Sequence, residues 1–72
     1  MQNPELLSVV ALLNDLPEHG LLRGQVGTVV EPLSDSVVLV EFSGEDGATY
    51  ALVPVHAEGL IRLRYSLQEQ VA

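Results

Sequence analysis

The stretch from residue 27 to residue 42 is GTVVEPLSDSVVLVEF. Two valine-rich runs flank the segment PLSDS, which is made mostly of turn-forming residues. Valine favours strands because its branched side chain packs well on a pleated surface, whereas proline, serine and aspartate favour turns. We predict a strand from Gly27 to Glu31, a hairpin turn from Pro32 to Ser36 whose proline ends the ladder, and a strand from Val37 to Phe42.

The second of these strands has two unlike faces, because successive side chains of a strand point to opposite sides. Val38, Val40 and Phe42 share one face, and since all three are apolar we predict that this face belongs to the core. The other face and the preceding turn supply our candidate residues for self-association, which are Leu33, Val37 and Leu39.

The first apolar run, Leu6 to Leu13, fits the spacing of a helix as well as that of a strand. Its Val9-Val10 pair is β-branched, and such residues favour strands. We predict a strand whose inward side chains are largely those of Leu6, Val10 and Leu12.

The remaining elements are short. Turn residues from Asn14 to Gln25 predict a long loop. Downstream we predict a strand from Ala48 to Val53 that Pro54 stops, one helical turn within Val55 to Gly59, and a strand from Leu60 to Tyr65.

Five short strands, a long loop after the first strand and a one-turn helix before the fifth are typical of a small all-β, SH3-like barrel. An OB-fold is the main alternative, but it normally needs more chain and a helix between the third and fourth strands. We expect one SH3-like domain over residues 1–72, with a core from about 6 to 65 and a tail from 66 to 72.

The chain resembles the domain-of-unknown-function 4926 family of short bacterial proteins over roughly residues 6–63. The resemblance rests on the segments VALL (10–13), DLPEHGL (15–21), RGQVGTVVE (23–31), VEF (40–42) and DGATYAL (46–52). The family has no agreed activity. Some members are encoded beside toxin-like proteins, and this implies an immunity or antitoxin role.

Charge and composition narrow the choice of partner. The chain has 72 residues, 3 Lys and Arg against 10 Asp and Glu, and a net charge of −7. Such a charge repels nucleic acid and anionic lipid and attracts a basic protein. The hydrophobic content of 47% is high for so small a domain, so we expect a homo-oligomer.

Nothing predicts a signal peptide or a membrane span, so we expect a cytoplasmic protein.

Few residues could carry chemistry. The chain has no cysteine and two histidines, His19 and His56, which we interpret as exposed loop residues. No ligand spacing for a metal is present, and no serine lies in the sequence context of a nucleophile. We therefore predict no enzymatic activity, no cofactor and no metal.

The sequence thus favours a non-catalytic protein-binding module that recognises another protein through its long loop and a hairpin loop. Two alternatives stay open: a structural, self-associating domain and, less favoured, a KOW-like nucleic-acid-associated module. An alternative role for the Leu21-Leu22 pair is to fold back and cap the barrel. The candidate partner-binding residues are Asp15, Glu18, His19, Leu21, Leu22, Arg23, Glu45, Asp46 and Tyr50.

Overall fold

The computed structural model describes residues 3–44 and 50–64. Two 3₁₀ turns, η1 (Pro17–His19) and η2 (Ala57–Gly59), interrupt a series of strands. Within the described ranges, no helix is long and apolar enough to cross a membrane. The strands are β1 (Val9–Leu12), β2 (Val26–Pro32), β3 (Val37–Ser43), β4 (Tyr50–His56) and β5 (Leu60–Arg62).

The five strands form one antiparallel sheet in the order β4-β3-β2-β1-β5. After η2 the chain returns to pair with β1, which is the strand order of SH3-like folds. The all-β class, the long loop after β1 and the helical turn before β5 are therefore confirmed. Between residues 3–44 and 50–64, β4 and β5 do not pair with each other, so closure of the barrel stays a prediction.

The predicted core face of β3 is confirmed. Val38, Val40 and Phe42 are almost completely buried. Val40 lies opposite Val29 of β2 and Val53 of β4, and both of these valines are buried as well. Because paired residues of neighbouring strands point to the same face, this row of valines forms the centre of the core.

The prediction for the first strand was partly wrong. β1 begins at Val9, and Val10 and Leu12 are buried as predicted, but Leu6 is 59% exposed. The chain turns before the strand starts: the Ser8 amide donates to the Glu5 carbonyl over 3.0 Å. This turn takes Leu6 out of the alternation that a longer strand would have imposed.

Leu7 has a φ of +68°, a left-handed conformation that side chains with a bulky Cβ substituent seldom adopt. We expect Leu7→Asn to raise the free energy of unfolding by about 1 kcal/mol, because asparagine tolerates this region better than leucine. Leu7 is exposed, so the change loses little packing. Urea denaturation checks the prediction, with Leu6→Asn as the control. If Leu6→Asn stabilises the protein equally, relief of strain at Leu7 is not the cause.

The prediction that Pro54 stops the fourth strand was wrong. β4 continues to His56, and Pro54 lies opposite Leu39 within the ladder. A proline has no amide hydrogen to donate, so it is tolerated where that side of the strand has no neighbour. β4 is the edge of the sheet, and this position permits a proline that sequence rules assign to a strand end.

Other boundaries moved by a few residues. β2 extends through Pro32, which lies opposite Val38 instead of opening the turn, and the ladder between β2 and β3 is irregular between Val29 and Glu31. β5 ends at Arg62, earlier than the predicted end at Tyr65. Tyr65 and the predicted start of the fourth strand at Ala48 lie outside the described residues.

Candidate functional site

The long loop between β1 and β2 is a folded arm. The Leu16 amide donates to the Leu21 carbonyl over 2.8 Å, and the Leu21 amide donates to the Leu16 carbonyl over 3.1 Å. η1 lies between these two leucines, and Gly20 closes the turn with a φ of +70°. Leu21 is buried in the main core and Leu16 packs against it. The arm is thus anchored at its base and presents η1 at its tip.

The second 3₁₀ turn, η2, is tied to the sheet on both sides. The Ala57 amide donates to the Ser36 carbonyl over 2.8 Å, which connects η2 to the hairpin between β2 and β3. The Leu13 amide donates to the Gly59 carbonyl over 2.9 Å, which connects it to the end of β1. Both 3₁₀ turns therefore have fixed positions relative to β1.

A groove of about 600 Å³ separates the arm from η2. Its apolar lining consists of Leu12, Leu16, Pro54 and Val55. Its polar lining comes from both turns, from the loop after β1 and from the end of β4, and it consists of Asn14, Glu18, His19, His56 and Glu58. An apolar surface with a few polar groups around it is the usual composition of a ligand site, and the volume lies within the usual range.

Two exposed carboxylates lie on opposite walls of this groove, Glu18 on η1 and Glu58 on η2. In the part of the chain that the structure describes, the single ion pair joins Arg62 to Glu5, with 3.6 Å between Nη2 and Oε1. Neither groove carboxylate is therefore neutralised by a described cation, and the groove carries uncompensated negative charge.

A second cavity of about 230 Å³ shares His56 and Glu58 with the groove and adds Asp35 and Asn3. The Asn3 Nδ2 donates to the Ser34 carbonyl over 2.8 Å, and this bond identifies the other terminal atom of the amide as oxygen. That Oδ1 is buried and accepts no hydrogen bond from any residue that the structure describes. The combined surface is thus rich in acceptors, and it suits a ligand that brings hydrogen-bond donors.

Both histidines of the chain line the groove, one on each wall. Both are exposed, as the sequence predicted, but the prediction that His56 lies in a loop was wrong, because it is the last residue of β4. Across the described positions, no group of three or more potential ligands is arranged to hold a metal ion. Each imidazole has one nitrogen that can donate a hydrogen bond and one that can accept it, and both side chains are exposed to the groove.

Residues 6–62 match the family model described as domain of unknown function DUF4926. The chain belongs to this family. The matched segment extends from before β1 to the end of β5, so it contains both walls of the groove. No curated protein and no solved structure matches the chain.

The structure of this DUF4926 domain divides the predicted partner surface. Glu18 and His19 line the groove, whereas Asp15, Leu22 and Arg23 lie with Leu13 around a separate hollow of about 470 Å³. Leu21 is 5% exposed and belongs to the core, so it offers almost no surface to a partner. The burial of Leu21 agrees with the alternative in which the leucine pair folds back onto the barrel. Leu22 does not agree with it, because its side chain is 65% exposed.

The hairpin part of the predicted surface is less fully described. Glu45 and Asp46 lie outside the described residues. Tyr50 begins β4, with its backbone opposite Ser43.

The predicted self-association residues lie on β3 and the hairpin before it. Val37 and Leu39 are half-buried, while Leu33 is exposed in the hairpin.

Sequence reasoning missed the second wall of the groove, which is formed by Pro54, His56 and Glu58. A signal for it was present in the predicted fold. When β5 pairs with β1, the turn that precedes β5 comes next to the loop that follows β1. The two segments are about 40 residues apart in sequence, so local patterns give no indication of their contact.

Proposed function

We propose that this DUF4926 domain is a non-catalytic module that binds a basic segment of another protein in the groove between η1 and η2. One observation carries the proposal. Glu18 of η1 and Glu58 of η2 line the same partly apolar groove, and no described cation neutralises either of them.

The chemistry of the groove favours lysine and arginine side chains. Their long methylene stems can lie along apolar surface such as that of Leu16 and Pro54 while their charged ends reach the carboxylates. The unpaired Asn3 oxygen in the adjoining cavity adds a further acceptor. The net charge of −7 also increases the rate of encounter with a basic surface.

A binding role fits the groove better than catalysis does. A general base normally needs a partner that orients it and a nucleophile within reach. Among residues 3–44 and 50–64, neither histidine side chain makes a hydrogen bond to another residue. The polar groups of the groove are thus available to a ligand, but they are not organised as a catalytic set.

An immunity or antitoxin role is a specific form of this proposal. An acidic module that covers a basic segment of a toxin or enzyme would block that segment from its own anionic target. We place such a complex in the cytoplasm of a bacterial cell, a location that remains a prediction from the sequence.

The experiment compares the replacement of both groove carboxylates by glutamine with the same replacement of a carboxylate outside the groove. The probe is a labelled decapeptide of alternating arginine and alanine, and its binding is followed by fluorescence anisotropy. We expect the Glu18→Gln, Glu58→Gln double variant to bind about three- to tenfold more weakly, because each exposed ion pair contributes little on its own. Binding by the parent should also weaken as salt is added.

Two controls make the result specific. Glu31→Gln removes a carboxylate from β2, away from the groove, and should leave affinity nearly unchanged. Amide shifts in NMR spectra should change at residues 14–16, 18–20 and 55–59 when the arginine peptide is added. An equal loss of affinity in Glu31→Gln, or amide shift changes confined to other segments, would show that the peptide responds only to the net charge of the protein and does not bind in the groove.

A further inference from the structure

The face of the sheet opposite the core carries a row of apolar side chains. Val26 of β2, Ala11 of β1 and Ile61 of β5 are successive partners across three strands. Their side chains therefore point to the same face. Ala11 is covered, but Val26 is 48% exposed and Ile61 is 50% exposed.

The row continues into the long loop. Leu13 follows Ala11 by two residues, and it lines the same hollow as Leu22. Both of these leucines are exposed. We call the set Leu13, Leu22, Val26 and Ile61 the outer patch. Four large aliphatic side chains that are each about half exposed present on the order of 400 Å² of apolar surface, a size at which an exposed apolar patch is often functional.

The charges around the outer patch differ from those of the whole chain. Arg23 lines the hollow together with Leu13, Leu22 and Asp15. Arg62 is the partner of Val10, so its side chain lies on the core side of β5 and not on the side of Ile61. The ion pair of Arg62 with Glu5 therefore does not belong to the surroundings of the outer patch. In a protein with a net charge of −7, the hollow at this end of the outer patch has one residue of each sign, so a second copy can approach it with less repulsion than the charge of the whole chain implies.

We propose that the outer patch is the contact surface between two copies of this chain. A twofold contact places the same surface on both copies, so it must be complementary to itself. The hollow that Leu13 and Leu22 line has one residue of each sign, Asp15 and Arg23. In a twofold pair the arginine of one copy lies opposite the aspartate of the other, around an apolar centre.

The area sets the strength of this contact. A standard interface covers about 800 Å² on each partner. The outer patch supplies about half of that area, and the rest must come from its polar surroundings. We therefore expect a dimer that dissociates on dilution.

The outer patch shares no residue with the groove between η1 and η2. A dimer formed in this way leaves both grooves open, and the two proposals can fail separately. Their salt dependence also differs in sign. Salt weakens the binding of a basic peptide, whereas it screens the repulsion between two acidic copies and strengthens the dimer.

The test measures mass by sedimentation equilibrium from micromolar to millimolar protein, at low and at high salt. The parent should move from the monomer mass of 7.8 kDa towards twice that value as concentration rises, and further at high salt. Ile61→Glu and Leu22→Glu should each stay at the monomer mass. Leu22 lies in the loop outside every strand, so its variant tests the contact without disturbing the ladder.

Leu33→Glu is the matched control. It adds the same charge at an exposed leucine of the hairpin between β2 and β3, and it should dimerise like the parent. A parent that stays monomeric at every concentration and salt overturns the proposal. It is also overturned if Leu33→Glu becomes monomeric while Ile61→Glu and Leu22→Glu still dimerise, because the contact would then lie at the hairpin and β3.

Discussion

Replacing Gly27 with alanine should destabilise the protein by about 3 kcal/mol, towards the upper end for an overpacked site. A Cβ at this position would lie 2.7 Å from Val40 Cγ1, 2.8 Å from Phe42 Cδ1 and 2.8 Å from the Glu41 carbonyl oxygen. The two side chains can shift only by disturbing the centre of the core. The carbonyl belongs to the ladder between β2 and β3, so it can move only if the strands separate.

Gly59 provides the control for this prediction. A Cβ there has no atom within 4 Å, and φ is not in the left-handed region, so Gly59→Ala should change stability by less than about 0.5 kcal/mol. Urea denaturation of both variants gives the comparison, and Gly27→Val should be worse than Gly27→Ala. Equal stability of the two alanine variants would mean that β2 and β3 can separate at this point without cost.

Leu21→Ala should cost about 3 kcal/mol, as is usual for truncation of a leucine in a core. The same change at Leu22 should cost less than about 0.5 kcal/mol, because its side chain is exposed. The two residues are adjacent leucines, so the two variants have the same amino-acid composition and the substitutions have nearly the same local sequence. Any difference in stability therefore reports the burial of one and the exposure of the other.

The effect of Leu21→Ala should reach the groove as well. Leu21 fixes the base of the arm whose tip is η1, so its truncation should loosen Glu18 and His19. We expect hydrogen exchange at the Leu16 and Leu21 amides to become faster, and binding of the arginine peptide to weaken. Both variants should be measured at low protein concentration, where a dimer does not contribute to stability. Unchanged exchange in Leu21→Ala would show that the two backbone hydrogen bonds hold the arm without its core anchor.

The central hairpin was predictable because its signals are local. The alternation of Val38, Val40 and Phe42 determines which face of β3 is buried, and the turn residues before it determine the pairing with β2. A strand with one apolar face has a single favourable orientation. The family followed from the sequence too, because its motifs are contiguous segments.

Other features were mispredicted because they depend on neighbours in space. Pro54 is compatible with a strand only because β4 lies at the edge of the sheet. Leu6 was assigned to the core by spacing, but a turn at Leu7 removes it from the strand. In both cases the local pattern was sound, and the tertiary arrangement changed its outcome.

By itself, the sequence determined the class of fold, the core of β3, the acidity of the chain and its family, since each depends on composition or on residues close together in the chain. The tertiary structure alone decided that Glu18 and Glu58 share a groove, that Leu21 is buried while Leu22 is exposed, and that Val26 and Ile61 flank Ala11 on one face. The physical reason is the pairing of β5 with β1. This antiparallel pairing brings the end of the described chain back to its beginning, and contacts between such distant segments depend on the register of the whole sheet.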